Sequence, residues 1–481
     1  MSSPLNIFTG LYIDGAWRRG SGEREILDPT TGERLAGVAT ASTEECLEAV
    51  DAASAAQPGW ASTPPRQRAE VLRGCFELMV RECDAIADLI QRENGKPLRQ
   101  AIGEVHDAAE FFRWFAEEAA HIGGEFRTGP NGDEQIVVLS EPVGVALLIT
   151  PWSFPAALAT REIAPALAAG CTCVLKPAPE TPLTALYIAD LVRRAGAPAG
   201  VLNVVLPDPP ADAVAAMMGH RAVGKLSFTG STSVGRSLLE LAGKHLLRTS
   251  IGVGGNAPFV VLDDADLDIA VEAALLAKMR DGGASCIAAN LLYVHESAAM
   301  EFRSRFTARM AQLSIGYGRE PDADVGALVS ACERDRVGQL LAELVESGGE
   351  VTTGGGTSGS SGFFFEPTVV ANVPTDAPAL GLEIFGPIAP IVVFDDLDGV
   401  IAQANAANVG LISYIISGDA TLAFEFSRRV DTGIVAINRG LVSDPATSFG
   451  GFKHSGAGTE GGSEGVSGYL RRKYVGLELV R

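Results

Sequence analysis

Cys286 is the residue in this chain best placed to do covalent chemistry. It follows the small, pliable run Gly282-Gly283-Ala284-Ser285. A nucleophilic thiol needs access, a tight backbone and a bias toward thiolate, and the two glycines supply the first two. The rival reading is a small apolar residue in a core. A second stretch, Phe228-Thr229-Gly230-Ser231-Thr232-Ser233-Val234-Gly235, reads as a strand end, a glycine turn and a Ser/Thr-capped helix start, whose amides are placed to face a pyrophosphate. Lys176 closes the apolar run Cys171–Leu175, a cation at the carboxyl edge of a sheet or else a surface lysine. No GxGxxG opens the sheet, so the ordinary dinucleotide fingerprint is absent.

The elements that must carry these groups follow from hydrophobic period. Glu141–Gly254 alternates continuous apolar strands with amphipathic helices: Gly144–Thr150, Ala157–Ala169, Cys171–Lys176, Pro182–Ala195, Leu202–Leu206, Lys225–Thr229, Val234–Gly243. Such alternation implies a parallel sheet covered on both faces, the doubly wound arrangement that binds nucleotides. Residues 252–451 repeat it, so a second α/β domain is expected. Within that half, a helix over Asp266–Arg280 runs into the Cys286 segment, and the Gly/Ser-rich Gly348–Gly362 reads as mobile surface. Before the sheet, Leu11–Gly37 carries hairpin turns. Thr43 to about His121 is helical, capped at Ser42 and broken at Gln57–Gly59, Thr63-Pro64-Pro65 and Asn94–Pro97. Phe111, Phe112, Trp114 and Phe115 read as helix packing, with a substrate platform as the rival reading. Gln135–Ser140 and the tail Gly468–Arg481 alternate as exposed strands, the tail as an edge that seeks a partner.

Composition narrows the function. The chain has 481 residues, 47% of them apolar, enough for two or three domains with large cores. A formal charge of −21 argues against nucleic acid or an anionic membrane surface as partner. No apolar run approaches a membrane span and the opening residues lack a leader pattern, so a cytoplasmic location is expected. Seven scattered cysteines fit reduced thiols better than disulfides or a zinc site, with Cys171 and Cys173 on one face of a core strand.

Six blocks in order, Thr150-Pro151-Trp152-Ser153-Phe154-Pro155, Lys176-Pro177-Ala178, Phe228–Ser231, Gly254–Phe259, Cys286 and Glu383-Ile384-Phe385-Gly386-Pro387, resemble the aldehyde dehydrogenase superfamily. The similarity spans nearly the whole chain and is greatest to the succinate-semialdehyde dehydrogenase branch. It implies an α/β fold of two doubly wound parallel-sheet domains plus a β oligomerisation arm. Residues 1–120 and 142–253 would then bind NADP or NAD, 254–465 would form the catalytic domain, and 121–141 with 466–481 the arm of a homodimer or homotetramer. The resemblance makes Cys286 the nucleophile and places the cofactor against Thr150, Pro151, Trp152, Lys176, Ala178, Pro179, Gly230, Ser231, Val234, Gly254, Glu383 and Phe385. Lys176 would meet the adenosine ribose and Glu383 the nicotinamide ribose. Pro179 stands where NAD-preferring relatives often carry an acid, which permits NADP, while Glu180 leaves NAD open. Arg161, Arg280 and Ser443 match the residues that hold a distal carboxylate in that branch. Each is open to a structural role, with Glu162 and Asp281 as adjacent ion-pair partners.

Three positions depart from the family pattern. Ser153 replaces the oxyanion Asn, and Gly252, in Gly252-Val253-Gly254-Gly255, replaces the water-activating Glu. Leu206-Pro207-Asp208-Pro209-Pro210 replaces glycines near the adenine, which removes amides there. Glu460 and Glu464 are the candidate substitutes for the missing carboxylate, the plainer reading of both being solvated loop charge. The expectation is an NAD(P)-dependent oxidoreductase that forms a Cys286 adduct with a small carboxylated aldehyde or its acyl thioester, hydrolyses it slowly, and hands the acyl group to coenzyme A or another acceptor. The alternatives are an NAD(P)H-dependent reductase of an imine or activated alkene, and a catalytically eroded binding subunit.

Overall fold

The computed structural model describes residues 7–132, 134–316, 320 and 322–478. Its first sheet has eight strands in the order Ala16–Arg18, Leu11–Ile13, Leu202–Val204, Thr172–Lys176, Val145–Ile149, Val223–Gly230, Arg248–Val253 and Gly456–Ala457. The five from Leu202–Val204 to Arg248–Val253 are parallel, as their unbroken apolar runs require. Helices Ala157–Ala169 and Pro182–Arg194 return the chain between them, the first buried along its whole length. Cys171 and Cys173 are fully buried, as expected of a core strand.

The second sheet orders Glu350–Thr353, Thr368–Ala371, Ile388–Phe394, Leu291–His295, Pro258–Val261, Ile412–Ile416 and Ile434–Ile437, all parallel except the first. Gly456–Ala457, which the resemblance puts in the stretch 254–465, is not part of this sheet. It crosses to the first sheet and pairs antiparallel with Ile251 and Gly252. A third sheet joins Leu470–Glu478, Glu134–Pro142 and Glu125–Thr128, so the tail finds its partner strand within the chain. Residues 479–481 of that tail lie outside the described residues. Among the described residues no helix is long and apolar enough to cross a membrane.

One local expectation is corrected and one is given its course. The helix Thr43–Ser62 runs through Gln57–Gly59 with Pro58 inside it. Tertiary bonds hold that turn: Gln57 Nε2 donates to Gly170 O, Gln57 Oε1 accepts from Thr172 N at 2.8 Å, and Trp60 Nε1 donates to Leu167 O. Such anchors outweigh a local propensity penalty. Gly348–Gly362, read as mobile, contains the strand Glu350–Thr353 and the short pairing of Thr357–Ser358 with Phe364–Phe365. Its glycines turn the chain at positive φ between those strands. The Ser42 cap forms as expected, a capping box with Glu45.

Candidate active site

The helix Leu267–Met279 ends at a sharp kink, where Asp281, Gly282 and Gly283 take φ of 54°, 58° and 83°. A Cβ on Gly283 would stand 2.2 Å from Gly386 O, so only glycine fits there. The kink turns the chain into a tight turn, closed by Ala288 N donating to Ser285 O at 3.0 Å, with Cys286 at its second position. Tyr414 Oη donates to Ile287 O at 2.7 Å and fixes the turn from the second sheet. Cys286 is half-buried and lines a cavity of about 330 Å³ between the two large sheets. Burial pushes its thiol up to about 11; Glu383 and Glu460 push the same way and Arg161 and Arg280 oppose them. The resting group is therefore a thiol that must lose its proton to react.

Ser153 lines the same cavity from a loop held by buried charge. Lys96, 2% exposed, reaches Ser153 O at 2.7 Å, Glu104 Oε2 at 2.6 Å and Asp281 Oδ1 at 3.4 Å. Glu104 Oε1 in turn accepts from Ala156 N and Ala157 N at the start of helix Ala157–Ala169. One lysine thus ties the Ser153 loop to the segment that carries Cys286. Nothing in Asn94-Gly95-Lys96-Pro97 marked this role, because the pattern reads as a turn. Burial raises Asp281 to about 6 against the opposing pull of Lys96.

Of the expected cofactor residues, Pro151, Trp152, Gly230 and Ser231 line the cavity beside Cys286, as do Gly254, Glu383 and Phe385. Thr150, Lys176, Ala178, Pro179 and Val234 lie outside it. Thr150 N donates to Lys176 O, which places both at the carboxyl ends of adjacent parallel strands. Ser231 caps the helix Thr232–His245 beside Val234. Burial lowers Lys176 to about 8, with Glu180 pulling it back up. In the loop expected near the adenine, Pro209 and Pro210 open the helix Pro210–Gly219, and Asp208 pairs with Arg24 at 2.9 Å. These features fit a dinucleotide. Glu383 Oε1 and Thr229 Oγ1 are sealed from solvent with no hydrogen-bond partner, and a Cβ on Gly254 would stand 2.0 Å from Glu383 Oε1. A ribose diol satisfies such a carboxylate, and the bare Gly254 leaves room for its side chain. Burial lifts Glu383 to about 7, opposed by Arg336 and Lys278.

The expected anion site is brought together, with different partners from those expected. Arg161, Arg280 and Ser443 all line the cavity. Glu162 accepts from Tyr469 Oη at 2.7 Å and Asp281 pairs with Lys96, so neither partners the adjacent arginine. Arg280 instead donates to Asp107 at 2.9 Å and lies over Phe154. Arg161 lies between the rings of Phe111 and Phe449, with Nη1 3.6 Å from Glu460 Oε2. Phe111, of the cluster read as helix packing rather than a substrate platform, also lines the cavity. Asp107 carried no sequence signal.

The plainer reading of Glu460 is overturned. It is 8% exposed and lines the cavity, whereas Glu464 is an exposed acid bonded to Ser448. Gly456–Ala457 lies across the strand Arg248–Val253, and Phe449 and Glu460 exchange backbone hydrogen bonds of 2.7 and 2.8 Å beyond it. That course carries the Glu460 side chain over Gly252, where an added Cβ would meet Glu460 Oε1 at 3.3 Å. The space expected to lack a carboxylate holds one.

The family model described as aldehyde dehydrogenase family matches residues 17–475. A succinate-semialdehyde dehydrogenase of Paenarthrobacter nicotinovorans is 47% identical over 92% of this chain and 98% of its own. The succinate-semialdehyde dehydrogenase [NADP(+)] of Escherichia coli (strain K12) is 42% identical over 97% of each chain. The crystal structure of succinate-semialdehyde dehydrogenase from Burkholderia pseudomallei superposes with a TM-score of 0.97 at 39% identity, covering all of both chains. Similarity of this extent, in sequence and in backbone course alike, makes the chain a member of the aldehyde dehydrogenase family.

Proposed function

We propose that this protein oxidises a small aldehyde bearing a distal carboxylate to the corresponding acid, through a covalent adduct on Cys286. The observation that carries this reading is the convergence on one cavity of the Cys286 turn, the Arg280 guanidinium and Ser443. The names of the relatives support the same substrate class.

Arg280 donates to Asp107 through one nitrogen, which leaves further donors of its fork for a substrate carboxylate. That contact orients the aldehyde carbon toward the sulfur. The Cys286 thiol gives up its proton to solvent water, and attack by the thiolate forms the C–S bond and places negative charge on the carbonyl oxygen, where the Cys286 N–H and Ser153 Oγ are the donors at hand. Neither has a partner among the described residues. Glu383 and Gly254 would hold a nicotinamide dinucleotide, NADP or NAD, whose chemistry is to accept the hydride from the adduct. The thioacyl left on Cys286 is then released to water. Transfer to coenzyme A is the rival route, and the carboxylate over Gly252 weighs against it.

Two measurements test this reading. Arg280→Ala is expected to raise KM for succinate semialdehyde roughly tenfold or more, the scale of a lost charge-assisted hydrogen bond, and to spare an apolar aldehyde of equal length. Equal losses on both substrates would refute the anion site. Ser153→Ala is expected to lower kcat by about 10²–10³ with little change in KM, because an oxyanion donor acts in the transition state. We also propose that the third sheet packs against another copy of the chain, since Phe126, Leu139 and Tyr474 on it are exposed.

A further inference from the structure

Gly252 and Glu460 are far apart in sequence and adjacent in space. The strand Arg248–Val253 brings Gly252 to the cavity wall, and the absence of a side chain there leaves a volume that Glu460 Oε1 enters, 3.3 Å from where a Cβ would stand. Both carboxylate oxygens of Glu460 are buried without a hydrogen-bond donor. A buried carboxylate without a hydrogen-bond donor costs free energy, and one that shares its cavity with a thiol points to chemistry.

We propose that Glu460 is the general base that releases the acyl group from Cys286, a role displaced from position 252 to a different loop. This rests on the thioacyl chemistry proposed above. Glu460 takes a proton from water as the water oxygen bonds to the thioacyl carbon. The C–S bond then breaks, the thiolate recovers that proton from Glu460, and the other water hydrogen leaves with the acid.

The surroundings suit the task. On the helix Ala157–Ala169, Arg161 lies 3.6 Å away and favours the ionised form, while the neighbouring Glu162 carboxyl disfavours it. Lys225, from the strand Val223–Gly230, is fully buried, donates to Ser250 Oγ at 2.6 Å and offsets part of the negative charge. Tyr469 donates to Glu162, and Cys286 shares the cavity. Burial first, and Glu162 next, raise the Glu460 carboxyl above its ordinary value, toward the range where a general base works best at neutral pH. Glu162 is thus a positioning residue that tunes the base.

The test uses p-nitrophenyl acetate, which acylates a thiol without an aldehyde or a nicotinamide cofactor. Glu460→Gln is expected to keep the initial burst of p-nitrophenolate, to accumulate acetylated Cys286 by intact mass, and to slow steady-state release by about 10² or more. Gly252→Glu in the Glu460→Gln background is expected to restore part of that release. Glu162→Gln is expected to move the rising limb of the deacylation pH profile to lower pH, since it removes a like charge. Steady-state release by Glu460→Gln within twofold of wild type overturns the assignment, as does a Glu162→Gln profile that does not move. A wild type that turns over the ester but oxidises no carboxylated aldehyde overturns the proposed function and leaves the base assignment standing.

Discussion

Cys286→Ala is expected to lower kcat/KM for aldehyde oxidation by about 10⁴–10⁶, the scale of removing a covalent nucleophile, with the melting midpoint close to wild type. The second part follows from geometry. The turn is held by Ala288 N to Ser285 O and by Tyr414 Oη to Ile287 O, and neither bond involves the sulfur. The first part follows from the covalent adduct proposed for Cys286. The thiol sits near 11 because burial and two carboxylates disfavour its anion, so acylation is expected to speed up as pH rises through the neutral range. Steady-state kinetics from pH 6 to 9 with succinate semialdehyde check both. Retained activity in Cys286→Ala would instead favour hydride delivery to an imine or alkene, where the sulfur only positions the substrate. Absence of nicotinamide binding by calorimetry in the unaltered protein would favour an eroded binding subunit.

The sequence made the two-sheet architecture legible because continuous apolar strands between amphipathic helices have few other solutions. The strands Val145–Ile149, Thr172–Lys176 and Val223–Gly230 fall within a residue or two of their apolar runs. The cavity residues of the Cys286, Trp152 and Glu383 blocks were legible through resemblance, since each sits in a short motif. What was not legible depends on long-range placement. Glu460 lies in a glycine-rich run that reads as solvated loop, and nothing local says that Gly456–Ala457 will cross to the other sheet. Gly456 is required there because a Cβ would stand 2.2 Å from Ile251 O, but the glycine alone names no partner strand. Asp107 was hidden for a related reason. It occupies a helix whose period accounts for packing, so a cavity-facing role left no separate trace.

Lys96→Met is expected to destabilise the fold by about 3–5 kcal/mol, the range for stripping a buried ion pair of one partner. Lys96 is the cation shared by Glu104 and Asp281, all three being buried, and it also donates to the Ser153 carbonyl. Without it, two carboxylates face each other in a dry site, and protonation is the cheapest relief. Asp281 already stands raised to about 6, above its unfolded value of 3.8. A carboxylate with a raised folded pKa lowers stability at pH above that value, and the loss fades as pH falls toward the unfolded one. Removing the lysine lifts Asp281 further. The deficit of Lys96→Met is therefore expected to be largest at pH 8 and to shrink by pH 5, which paired thermal melts of variant and wild type will measure. Lys96→Met/Glu104→Gln is expected to recover part of the stability, because Gln still accepts from Ala156 N and carries no charge. Turnover should not recover in parallel, since the Ser153 loop still lacks its tie to the Cys286 segment. A double variant that regains both would mean that Lys96 serves the fold alone and does not register the oxyanion donors against the nucleophile.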